Sequence, residues 1–329
     1  MKKAPFLVII GALLLSILLA LVTACTPGSG SGNETASPSG DTGARTSPSS
    51  PPVGPGNTVG VPDDGDAWRI SVIGPGNEVA WSFTETALIN ALTDRTALPS
   101  GVPGQFAHIF STINNWPAAR FYAADGYSVA SILTIAGLYE AAQTITFRGN
   151  DGYEISLTRD QLLAPQFFFP QVNENENGAE PVYPVIAYRW RGGTDDIGAI
   201  RDENPCLIIG QRNPFEHTNP AYVENISEIV VSTDPCQAWA MASTFPAPGS
   251  IGVGETVKLQ HEFYGLVKLH YTLDGSDPTM LSSVYNPSTY QPELNVPIPI
   301  DGPTEIRVIV HGYGKLDSDI AVFEFTPIG

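Results

Sequence analysis

Residues 126–163, GYSVASILTIAGLYEAAQTITFRGNDGYEISLTRDQLL, constrain the fold more than any other stretch of this chain. Val129, Ile132, Leu133, Ala136 and Leu138 recur at steps that gather them on one face of a short amphipathic helix. Gly137 falls where such a helix needs a left-handed residue to end it. Thr144, Thr146 and Phe147 then open a β-branched strand, and Asn150-Asp151-Gly152 carries the turn chemistry of a hairpin. Tyr153, Ile155 and Leu157 alternate with polar residues on the returning strand, and 159–163 starts another helix.

The first residues read as an address. Lys2 and Lys3 precede an apolar run over 6–22 that ends in Leu21-Val22-Thr23-Ala24-Cys25. This resembles a bacterial lipoprotein lipobox. The resemblance implies that residues 1–25 are a signal peptide ending at a lipidated Cys25, which anchors the chain to the membrane of the cell envelope with its folded parts extracytoplasmic. An uncleaved membrane anchor is the alternative, because the run approaches spanning length. Residues 26–66 are Gly, Ser, Pro, Thr and Asn with almost no large apolar side chains, so they are predicted to form a disordered tether.

Charge and cysteine usage narrow the partners. The formal net charge of −18 argues against nucleic acid and fits a soluble exported protein. Cys206 and Cys236 flank two apparent strands, 207–209 and 228–231. If those strands pair antiparallel, a disulfide between the cysteines staples them and contributes roughly 3–4 kcal/mol. Free buried thiols or a shared metal are the alternatives.

Two further resemblances divide the rest. The helix ending in Ala136-Gly137-Leu138 and the Asp151-Gly152-Tyr153 hairpin resemble the core of the sulfite-oxidase-like molybdopterin-binding domain. Leu207-Ile208-Ile209-Gly210 and 226–231 resemble its closing strands. This implies an α+β domain over 67–240, then a Pro/Gly-rich linker over 241–253. Members of that family hold molybdenum through a cysteine thiolate, and the matching stretch here is 111–117, STINNWP. No cysteine lies between Cys25 and Cys206, and a threonine hydroxyl is no substitute for a soft thiolate. Neither molybdopterin nor a metal is therefore expected, and the resemblance implies a cofactor-free binding or scaffold module.

Residues 254–329 carry alternating strands around Tyr271-Thr272-Leu273-Asp274-Gly275-Ser276-Asp277-Pro278-Thr279. That motif resembles the signature of the chitobiase/β-hexosaminidase C-terminal domain, which implies an all-β immunoglobulin-like sandwich. Asp274 and Asp277 read as turn formers, two carboxylates being too few for calcium. An oxidoreductase with an altered centre and a carbohydrate-active enzyme are the competing readings. No catalytic residues are assigned, since no paired carboxylates or nucleophile motif can be recognised.

The candidate ligand site follows from the first resemblance. It implies that the loop after Phe110 and the loop after Gly210 converge. Asn114, Asn115 and Trp116 then approach Arg212 and His217, with Tyr153 and Arg189 as walls. An aromatic plane, amides and a guanidinium suit a small anionic or carbohydrate ligand, or contact with another envelope protein. The competing arrangement fills the cleft with Phe167, Phe168 and Phe169.

Overall fold

A computed structural model describes residues 68–93 and 101–329. The expected signal peptide, the lipidated Cys25 and the tether lie outside the described residues. Among the described residues no helix is long and apolar enough to cross a membrane.

The stretch that dominates the sequence folds as its chemistry requires. Ser128 Oγ accepts a hydrogen bond from Ser131 N (3.2 Å) and caps helix Val129–Ile135. At the other end Gly137 adopts φ 74°, Gly137 N donates to Thr134 O (3.0 Å) and Leu138 N to Leu133 O (2.9 Å). Those two bonds satisfy carbonyls that the helix leaves open, in the Schellman pattern. Strand Thr144–Gly149 pairs antiparallel with Glu154–Thr158, and Gly152 supplies the positive φ of the turn. A reciprocal Thr158/Gln161 capping box then starts helix Arg159–Leu163.

This hairpin edges a five-stranded sheet with spatial order Val79–Phe83, Ile70–Ile73, Ile226–Ser232, Thr144–Gly149, Glu154–Thr158. A second sheet runs Val223–Glu224, Arg201–Ile208, Val185–Gly192, Ala119–Ser128, Gln105–Ile113. Ile70, Val72, Phe147, Ile229 and Val231 from the first sheet share one buried cluster with Phe110, Ile186 and Leu207 from the second. Val129, Ile132 and Leu133 of the central helix belong to the same cluster. Strands Ala119–Ser128 and Val185–Gly192 shift register between Asp125 and Gly126, and a Cβ at Gly126 would meet Ile186 O at 2.4 Å. Glycine is required there by the close approach of two backbones.

A second core lies in the C-terminal sandwich. Its larger sheet runs Gly249–Gly252, Ala321–Ile328, Thr304–Gly312, Val267–Thr272, Ser283–Val284. The smaller runs Ser243–Phe245, Thr256–Gln260, Ile298–Pro299. Val257, Leu259, Leu269, Ile306, Val308, Val310 and Phe325 fill the space between. In the Asp-Gly-Ser-Asp-Pro turn, Asp274 Oδ1 accepts from Ser276 N (3.0 Å) and Ser276 Oγ (2.6 Å), which lowers the Asp274 pKa. Asp277 pairs with Arg307. Asp274 serves the turn, and Asp277 ties it to strand Thr304–Gly312.

Three expectations are corrected. The disulfide is not formed, and Cys206 and Cys236 are free. Cys206 lies within Arg201–Ile208 of the second sheet, while Cys236 follows Ile226–Ser232 of the first and contacts Gln143 O (3.2 Å). The two strands assumed to be partners belong to different sheets, so no ladder aligns their ends. Residues 241–253 are not a linker, because Ser243–Phe245 and Gly249–Gly252 are strands of the sandwich and Ala242 is in its core. Edge strands tolerate the Pro and Gly that suggested a break. The helical share is also smaller than an α+β reading implies: the described residues hold twenty strands and three helices of nine, seven and five residues.

Candidate functional site

Alternation along Val267–Thr272 decides where the two bodies meet. Val267 and Leu269 enter the sandwich core, so Lys268 and His270 stand on the opposite face of the sheet. His311 pairs across from Lys268 on the neighbouring strand. That polar face is covered by the loop 209–222 and by the hairpin of the first body. A cavity of about 230 Å³ remains between them.

The loop is built to hold its shape. Gln211 exchanges backbone hydrogen bonds with Phe167 (2.8 and 3.0 Å), and its side chain donates to Glu216 O (2.8 Å). Asn213 Oδ1 accepts from Phe215 N at 2.9 Å. Glu216 receives Arg212 through Nη2 (2.5 Å), Nε (3.0 Å) and the backbone N (2.6 Å). Arg212 Nη2 also donates to His311 Nε2 (3.0 Å), and His311 Nδ1 lies 2.6 Å from Asp317 Oδ1. A guanidinium can only donate. His311 Nε2 therefore carries the lone pair, and Nδ1 carries the proton given to Asp317. Burial works against the charge on Arg212, but Glu216 overrides it and holds its pKa above the ordinary value. Burial likewise pushes Asp317 up, and the hydrogen bond from His311 outweighs it, so the carboxyl titrates below its usual range.

A second clasp runs through Gln161. Its Nε2 donates to Gly312 O (2.8 Å) and Lys315 O (3.0 Å), and its Oε1 accepts from Gly314 N (2.9 Å). Ser288 Oγ donates to Asn115 O at 2.7 Å. A Cβ at Gly314 would stand 2.9 Å from Ser156 Cβ, and its φ of 80° disfavours a side chain in any case.

The cavity has a different character. Ile155, Phe215, Leu266, Met280 and Val284 line it, with Tyr313 and Trp239. Asn115, Tyr153, Glu216 and His311 border it, and its polar groups also include His217, His270 and Lys268. Burial, joined by the charge of Lys268, lowers the His217 pKa to about 3. Burial is also the first cause for His270, lowered to about 4, and the cause for Lys268, lowered to about 8. Both imidazoles are thus neutral at pH 7. His217 Nδ1 and Trp239 Nε1 are buried without a hydrogen-bond partner.

Of the residues singled out from the sequence, Asn115, Tyr153 and His217 line this cavity. Arg212 lies behind its wall, its charge taken by Glu216, so it is no anion receptor. Asn114 Oδ1 caps its own turn, accepting from Trp116 N (2.9 Å) and Ala118 N (3.1 Å). Trp116 stacks on Tyr290 (5.6 Å between centroids, 16° between planes) and remains 57% exposed, outside the cavity. Arg189 pairs with Asp125 (3.4 Å) and Asp202 (3.2 Å) in the second sheet, away from the site. Phe169 packs with Ile113, Val172, Phe121 and Phe167 and does not fill the cleft. The sequence reading missed Trp239, Lys268, His270 and Tyr313. A lysine and a histidine two apart in a strand of otherwise apolar pattern were the available signal.

The stretch that resembles a molybdenum loop does not fit the metal. Ser111 Oγ donates to Gln211 Oε1 (2.5 Å) and accepts from Phe169 N (2.8 Å), and Thr112 Oγ1 accepts from Thr218 (2.7 Å). These are engaged hydroxyls with no soft ligand beside them.

Comparison with known proteins agrees with the C-terminal architecture. Residues 257–325 match the family model described as Fn3 associated. With the two packed β-sheets, this marks the C-terminal part as an immunoglobulin- or fibronectin-III-like domain. A search of curated proteins found no match to the chain.

Proposed function

We propose that this chain is a ligand-binding protein of the cell envelope, anchored through Cys25 and receiving a small molecule between its two folded domains. One observation carries the reading: the cavity between the two bodies combines apolar walls with Lys268, whose ammonium is held by two backbone carbonyls and pairs with no carboxylate among the described residues. Buried charges are almost always paired, and a site that leaves one open is short of a partner. The chemistry argues for binding rather than turnover. Among the described residues no Ser, Thr or Cys lines the cavity, and His311 is engaged at both ring nitrogens.

The likeness to sulfite-oxidase-type domains stays a proposal about ancestry, resting on the helix, strand and hairpin of residues 129–158. No chemistry is routed through it. The C-terminal domain is proposed to be of the chitobiase C-terminal kind, here serving as one wall of the site.

Ligand-observed NMR with a library of single-ring fragments tests the binding reading. Leu266 stands at the mouth and is 69% exposed, so Leu266→Trp plugs the cavity without disturbing a core. Fragments should bind the native chain and fail to bind this variant. Equal binding to both proteins, or none to either, removes the proposal.

A further inference from the structure

The polar end of the cavity specifies the ligand's head group. Lys268 Nζ donates to Asn286 O (3.0 Å) and Pro287 O (2.9 Å). An ammonium carries three protons, so one remains for a ligand. The cavity's one acidic side chain, Glu216, is engaged by Arg212 and does not balance Lys268.

Trp239 forms the wall beside it: the ring is 8% exposed and packs so closely on Gly312 that a Cβ there would stand 2.9 Å from Nε1. Trp239, Gly312 and Lys268 all line the same cavity. One cationic donor at the end of an apolar chamber suits a group with a single negative charge. Among the cavity's lining residues Lys268 is the one lysine or arginine, so a phosphate dianion would lack a second cation, and a sugar would leave most of its hydroxyls against apolar walls. The volume of about 230 Å³ limits the body to roughly one ring or a short branched chain.

Resting on the binding role proposed above, we propose that the cavity selects a small monocarboxylate with a compact apolar or aromatic body, its carboxylate held by Lys268. The ring or chain lies against Ile155, Leu266 and Val284.

Calorimetric titration of the full-length protein at pH 7 with phenylacetate and with 2-phenylethanol tests this. The two probes share a body and differ in the head group. Phenylacetate should bind at least about tenfold more tightly. Lys268→Met, which keeps the apolar stem, should abolish that preference. Equal affinities in the native protein overturn the carboxylate assignment while the cavity stands as a binding site; this comparison needs no variant to fold. A preference that survives Lys268→Met overturns the role of the lysine. If neither probe binds, and no fragment distinguishes native protein from Leu266→Trp, the cavity reading falls as well.

Discussion

The clasp and the cavity lie side by side between the same two bodies, yet they use hydrogen bonds in opposite ways. In the clasp Arg212, Glu216, His311 and Asp317 meet in one chain, and Gln161 uses both ends of its amide. In the cavity a lysine has no carboxylate, a histidine nitrogen has no partner and an indole N–H has no acceptor. Satisfied networks hold surfaces together, because opening them leaves buried groups bare. Unsatisfied ones cost the empty protein stability that a bound partner can restore. The contrast separates residues that keep the bodies docked from residues that wait for a ligand.

The largest effect is expected from breaking the clasp. Glu216→Ala leaves Arg212 buried beside His311 without its carboxylate, and removal of one partner of a buried pair costs about 3–5 kcal/mol. Urea unfolding should show a stability loss of that size, with the two bodies separating into distinct transitions. A loss below about 1 kcal/mol would show that the clasp does not hold them.

Gln161→Ala should cost less, about 2 kcal/mol, since it deprives Gly312 O, Lys315 O and Gly314 N of neutral partners. The same unfolding measurement reads it. A cost as large as that of Glu216→Ala would make the neutral clasp the main one.

Acid should act through the cavity. His217 and His270 have folded-state pKa values of about 3 and about 4, below the ordinary 6.5. Below pH 6.5 the unfolded chain takes up protons that the folded chain refuses. Their contribution to stability is thus complete above pH 6.5 and is lost as the pH falls toward 4 and then 3. The slope is at most about 1.4 kcal/mol per pH unit for each histidine. His270→Gln should reduce the slope between pH 6 and 4; an unchanged slope would place the acid sensitivity elsewhere.

The smallest effect is the sharpest test of the contrast. Trp239→Phe gives up part of a buried ring in the sandwich core but no paired N–H, so the loss should stay near about 1 kcal/mol, that of the lost packing alone. A loss above about 2 kcal/mol in thermal or urea unfolding would mean that the indole N–H is also satisfied.

The sequence alone determined those features whose hydrogen bonds close within a few residues. Ser128 and Gly137 delimit their helix, Thr158 and Gln161 form their box, and Asp274 folds its own turn, each through bonds spanning five residues or fewer. The alternation in residues 256–325 was equally legible, because period two is a property of one strand. Convergence of the loops after Phe110 and Gly210 was half visible: Asn115 and His217 arrive at the cavity, while Trp116 turns outward onto Tyr290. What tertiary structure decided is which surfaces meet. Cys206 and Cys236 flank apparent strands in sequence, but the strands belong to different sheets. Arg212 promised an anion site until Glu216, four residues on, folded back to neutralise it. Lys268 and His270 became cavity residues only when the outer face of one sheet was covered by a loop more than forty residues earlier in the chain. Burial, and with it the lowered pKa of His217, His270 and Lys268, depends on contacts between distant segments that no local pattern encodes.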